Sequence, residues 1–161
     1  MMDYSNAMPE VRPAAAPPPA GAIQFRSFLR GLAEEIDTQA GAEARDRLLR
    51  GAGHRMARLL PLPAVASMRA LEMEMNDVLG AIGWGSTHLD LREAERCLVI
   101  THTGLPRIGS AGDPLGSWLS AALEGLYEAW LAQQPGSDPD LVARRQRCSS
   151  PDVLTLHYSR Q

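Results

Sequence analysis

From residue 23 to residue 82 the apolar side chains recur every three or four residues, and from residue 87 they recur every second one. A chain that changes period in this way builds helices first and a sheet afterwards. Phe25, Phe28, Leu29, Leu32 and Ile36 fall on one helical stripe, with Arg26, Arg30, Glu34 and Asp37 turned away from it. After Gly41 the stripe resumes through Ala44, Leu48, Ala52, Met56 and Leu59, until Pro61 and Pro63 stop it. Two readings stay open at Gly41, a kink in one long helix or a division into two. The next helix is expected over residues 64–82, where Val65, Met68, Leu71, Met75, Val78, Leu79 and Ile82 form a buried face. Gly83-Trp84-Gly85 ends it, because glycine suits the left-handed conformation of a C-cap.

In the second half Thr87, Leu89 and Leu91 alternate with His88, Asp90 and Arg92, as in a half-buried strand. Residues 92–96 are polar and turn the chain. Residues 97–101 (Cys-Leu-Val-Ile-Thr) are apolar on both faces and predict the more central strand of a hairpin. Residues 104–112 read as loop, with Asp113 as an N-cap and Pro114 at the first helical position. Leu115, Leu119, Ala122, Leu126 and Trp130 carry that helix to its break at Gln134-Pro135-Gly136. A last strand over residues 153–158 puts Leu154, Leu156 and Tyr158 on one face. The expected fold is α+β: N-terminal helices, a β-hairpin, a further helix and a C-terminal strand in one compact domain. Residues 22–161 form that domain, and residues 1–21 form a Pro/Ala-rich flexible arm ahead of it.

Composition removes several function classes. A net charge of −3 argues against general nucleic-acid binding. All sixteen cations are arginine, so Schiff-base and P-loop lysine chemistry is excluded. No apolar run reaches the ~18 residues of a membrane-crossing helix. Residues 1–21 have neither the basic nor the apolar region of a signal peptide, which predicts a cytoplasmic location. Cys97 and Cys148 are too few for a disulfide framework, although a single bridge between them stays open.

Each candidate for chemistry has a plainer explanation. His88, Asp90 and His102 share one face of the hairpin if its turn centres near Ala94, parity flipping with a one-residue shift of register, and two imidazoles with a carboxylate suit iron or zinc. Their spacing matches no established ligand pattern, and ordinary polar positions on a sheet explain them better. The glycine-rich residues 109–116 precede a helix, yet lack a Walker lysine and dinucleotide spacing, and Ser110 is in no nucleophile elbow. The pairs Glu34/Asp37, Glu72/Asn76 and Glu124/Glu128 read as solvated helix faces. Trp84, Trp118 and Trp130 could stack on sugar rings, but core or interface packing is the stronger reading. Met68, Met73 and Met75 read as packing, and Cys97 as a small buried residue. No catalytic residue, metal site or cofactor emerges.

Several blocks, taken in order, resemble the bacterial cellulose operon accessory protein D family, the D subunits of cellulose synthase. They include residues 35–41 (EIDTQAG), Leu48-Leu49-Arg50 with Met56-Ala57, residues 76–82 with Trp84-Gly85, and Leu89-Asp90-Leu91. The longest runs from His102 through Leu105-Pro106 and residues 109–112 (GSAG) to Trp118-Leu119, residues 123–127 (LEGLY) and Gln134-Pro135-Gly136. The resemblance implies a non-catalytic accessory subunit that assembles as dimers, four of them forming a hollow homo-octamer. It implies partnership with the other cellulose synthase subunits and with nascent β-1,4-glucan chains, which the particle guides for export and crystallisation. In the family, segments just before the first helix line the glucan passages; by position these are Gly21, Ala22 and Ile23. The long Pro/Ala arm and the absence of lysine depart from the family at that point. The missing signal-peptide features predict that the protein lies in the cytoplasm, beside the synthase at the inner membrane, with the periplasm as the alternative. Two other readings compete: a scaffold that aligns synthase complexes without touching glucan, and a metal-dependent enzyme using His88, Asp90 and His102.

Overall fold

The computed structural model describes residues 20–105, 117–146 and 153–160, with backbone alone for residues 20–26 and 117–118. Helix α1 spans Ala20–Leu59, but Gly41 sits at φ 79°, ψ 166°, a region that only glycine enters without strain. Gly41 therefore separates two helical segments, the second of the two readings left open by the pattern. The helix begins at Ala20, inside the segment expected to be arm.

Helix α2 spans Met68–Ile82, starting four residues later than its periodicity suggests. Ser67 explains the difference, since its hydroxyl accepts the Ala70 N–H and caps the first turn. Gly83 closes the helix in the left-handed conformation, as expected. Strands β1 (Ser86–Arg92) and β2 (Cys97–Thr103) form the anticipated hairpin around a short 3-10 turn at Glu93–Glu95.

Helix α3 spans Ser117–Ala132. The Asp113-Pro114 start and the glycine-rich loop lie outside the described residues. Strand β4 (Val153–Arg160) matches the last expected strand, while β3 (Leu141–Arg145) is an element that patterning does not reveal. Its sequence, Leu-Val-Ala-Arg-Arg, is short and lacks alternation, and the two arginines hide its β character.

The four strands form one antiparallel sheet in the order β1-β2-β4-β3, so β2 is interior as its apolar faces require. One sheet face carries Leu89, Ile100, Leu154, Leu156 and Tyr158 into a core shared with Leu71, Met75 and Leu79 of α2 and Leu123, Leu126, Tyr127 and Trp130 of α3. Helix α3 is buried nearly all round, from Leu119 to Tyr127, because the sheet lies on one side and α1 on the other.

Helix α1 approaches α3 through small residues. A Cβ on Gly53 would come within 1.9 Å of the Ala122 carbonyl oxygen, and one on Gly125 within 2.0 Å of the Arg50 carbonyl oxygen. The two backbones therefore touch. Trp130 Nε1 of α3 and Nε2 of Gln133, just past its end, then donate to the Leu60 and Ala57 carbonyls, which the end of α1 leaves without helical partners.

Candidate functional site

The hairpin register decides the metal question. Thr87 pairs with His102 and His88 with Thr101, so the turn centres between Ala94 and Glu95 and not on Ala94. That half-residue difference puts His88 and Asp90 on one face and His102 on the other. His88 is 71% exposed and its Nδ1 lies 3.0 Å from a Glu72 carboxylate oxygen. His102 is fully buried. The three expected ligands do not converge, and no other cluster of three His, Cys, Asp or Glu forms a metal-sized centre among the described residues.

His102 belongs instead to a buried polar group inside the core. Its Nδ1 lies 2.6 Å from the Tyr127 hydroxyl, and the two rings meet edge to face at 5.9 Å. Burial pulls the imidazole pKa from 6.5 down to about 4, partly opposed by the Trp84 backbone. The same burial pushes the Tyr127 hydroxyl well above its usual range, with the Thr87 side chain opposing. Both groups are neutral throughout the ordinary pH range. Tyr127 also meets Trp130 edge to face at 6.0 Å, which makes Trp130 a core residue and no sugar platform. The Trp118 side chain lies outside the described residues.

A second polar group joins α1, α3 and β3. Glu124, almost fully buried, accepts from the Arg145 N–H at 2.8 Å, from Arg145 Nε at 3.0 Å and from Arg50 Nη1 at 3.3 Å. Glu128 accepts from the Ala143 N–H at 3.0 Å, pairs with Arg50, and lies 3.1 Å from His54 Nε2. Arg145 continues to Ser120 Oγ at 2.8 Å and to Asp46 at 2.5 Å. The Arg145 guanidinium is held charged: burial disfavours its charge, but Asp46 and Glu124 together outweigh it. Every carboxylate oxygen of Glu124 and Glu128 thus has a donor beside it. The expectation of a solvated face fails for this pair because α3 is enclosed. The Glu72/Asn76 pair fails in the same way, since Asn76 exchanges two hydrogen bonds with Thr87 and Glu72 accepts the Leu89 N–H at 2.7 Å. Only Glu34, in an exposed pair with Arg30, fits that reading fully.

Other expectations divide. Cys97 is buried, and burial raises its thiol pKa further, as a small core residue requires. It is a free thiol, and Cys148 lies outside the described residues. Met75 is fully buried, but Met68 and Met73 are 38% and 59% exposed, so the methionines are no single packing group. Gly21, Ala22 and Ile23 are within the first turn of α1, not ahead of it; their side chains are not among those described.

The apolar stripe that the sequence pattern places on α1 is largely exposed in the single chain. Phe28 is 65% exposed, Leu29 38% and Leu32 46%, and Leu48 and Leu59 further along are more than half exposed. Within α1 the buried positions are small: Ala33, Gly53 and Ala57. Gly53 and Ala57, in the second segment of α1, face α3, while large side chains of both segments stay uncovered.

Residues 16–159 match the family model for the D subunit of cellulose synthase. The chain belongs to that family. Among its relatives, the cellulose synthase operon protein D of Komagataeibacter xylinus is 46% identical over 121 residues, covering 75% of this chain and 78% of that one. The protein of the same name from Komagataeibacter sucrofermentans is 45% identical over the same shares. Among solved structures, the phenol-responsive sensory domain of the transcription activator PoxR, crystallised with phenol, aligns with a TM-score of 0.50 at 18% identity. That alignment covers 83% of this chain and 74% of the sensory domain, and it shows a shared fold alone.

Proposed function

We propose that this protein is a non-catalytic accessory component of bacterial cellulose synthase, which works by assembling with copies of itself. The assembly organises nascent β-1,4-glucan chains for export and crystallisation. Family membership supplies the cellulose context, since its relatives are named for the cellulose synthase operon. The observation that carries self-assembly is the uncovered stripe Phe28, Leu29 and Leu32 on the first segment of α1, ahead of the part that packs against α3. Apolar surface of this kind is stabilised by a partner, and a closed homo-oligomer provides one at every copy.

The titratable groups in the interior support a role without bond-making. His102 and Tyr127 are held neutral in the core, and Glu124 and Glu128 are fully engaged in holding α1, α3 and β3 together. A neutral polysaccharide needs only hydroxyl partners, backbone polar groups and flat apolar surface, and weak contacts along a polymer multiply. In this reading the first turn of α1, with Gly21, Ala22 and Ile23, meets the glucan. The particle sits on the cytoplasmic side of the inner membrane beside the synthase; among the described residues no helix is long and apolar enough to cross a membrane.

Titrating the purified protein with soluble cello-oligosaccharides tests glucan contact. Saturable binding that weakens when Ala22 and Ile23 are replaced by glutamate is expected. No binding to the assembled particle would favour the scaffold that never touches glucan.

A further inference from the structure

Along part of each edge of the sheet, side chains take the place of a neighbouring strand. At the β1 edge Asn76 Oδ1 accepts the Thr87 N–H at 2.7 Å while its Nδ2 donates to the Thr87 carbonyl at 2.9 Å. One turn earlier on α2, Glu72 accepts the next outward N–H, that of Leu89. At the β3 edge Glu128 accepts the Ala143 N–H, Arg50 Nη2 donates to the Ala143 carbonyl at 3.0 Å, and Glu124 accepts the next outward N–H, that of Arg145. Each edge thus has one residue bonded through both its N–H and its C=O, and a second residue bonded through its N–H. On each side the acceptors stand four residues apart on the flanking helix, so they rise in step with alternate strand residues. An uncovered edge with these groups free is a template for another chain.

We propose that these two acceptor pairs are latches that keep either sheet edge from taking up a strand of a second copy, and so direct association onto α1. The direction of association rests on the self-assembly reading above; the latching of the edges does not. In a chain that must self-associate without running on into open, edge-to-edge arrays, closing both edges leaves the helical stripe as the surface through which copies meet.

The experiment uses the full chain carrying Leu32→Asp to disable the stripe, with and without Glu72→Ala and Asn76→Ala. With the latch removed, the Thr87 and Leu89 amides are expected to exchange with deuterium at least tenfold faster, while Ile100 in the sheet interior stays protected. The chain is also expected to gain a concentration-dependent associated form with the infrared band of intermolecular antiparallel sheet. Glu72→Gln, which keeps an acceptor oxygen, should leave Leu89 protected. If the double variant fails to fold, Asn76→Ala alone carries the same expectation at Thr87. Unchanged exchange at these amides, or faster exchange with no new association, overturns the proposal. Leu32→Asp alone that retains the assembly of the unaltered chain would contradict the stripe and leave the latch result readable.

Discussion

His102 shows how one buried side chain sets the pH response of the fold. Burial lowers its folded pKa from 6.5 to about 4, so the unfolded chain takes up the proton first. The neutral imidazole costs nothing above about pH 6.5, and the fold loses stability as pH falls from there towards 4. Below that the folded protein also binds the proton and the loss levels off. The total is about 3 kcal/mol by linkage. Urea melts between pH 7 and pH 4 should show that decline, and His102→Gln should flatten it; an equal slope in the variant would remove His102 as its cause. Glu124 makes a second case. Replacing it by alanine leaves the Arg145 N–H without its acceptor and its guanidinium with Asp46 as the remaining carboxylate among those described. A loss of about 2–3 kcal/mol is expected in denaturant melts.

Among the elements, the crossing of α1 and α3 is the most exacting. Gly53→Val would drive a side chain into the Ala122 carbonyl and the Leu126 amide, so the helices must separate. A destabilisation of about 2–3 kcal/mol or more is expected, with loss of protection in the second half of α1; a melt unchanged from the parent would show that the helices do not meet there. This crossing also marks where the sequence is legible and where it is not. Helical period, the Gly83 cap and the alternation at Thr87, Leu89 and Leu91 lead directly to α1, α2 and the hairpin. Large apolar residues are conspicuous in a pattern, but α1 packs through Gly53 and Ala57, which carry no periodic signal. Strand β3 is hidden because its stability comes from partners distant in sequence, Glu124, Glu128 and Arg50, and not from its own five residues. The pairs Glu72/Asn76 and Glu124/Glu128 are visible as helical spacing. Their work on the strand edges is not, because it depends on which strands the helices cover. The hairpin parity turns on half a residue in its turn, which is enough to separate His88 and Asp90 from His102.

At the scale of the whole molecule, the fold divides its surfaces by purpose. One sheet face is filled by α2 and α3, part of each sheet edge is occupied by side chains, and α1 keeps a row of large apolar residues facing outward. Burying the exposed half of such a leucine between copies contributes roughly 1 kcal/mol, and forcing a charged carboxylate into the same contact costs more. Leu32→Asp should therefore weaken association at least about tenfold while leaving the monomer's melt nearly unchanged, because Leu32 is 46% exposed in the single chain. Equal loss of monomer stability would place Leu32 in the core of the protomer instead. The most direct test is the mass of the purified full chain by light scattering across the micromolar range. The expected result is a discrete multiple of the 17.5 kDa protomer, about 140 kDa for eight copies, shifting to smaller species with Leu32→Asp. A mass of 17.5 kDa at every concentration would contradict it.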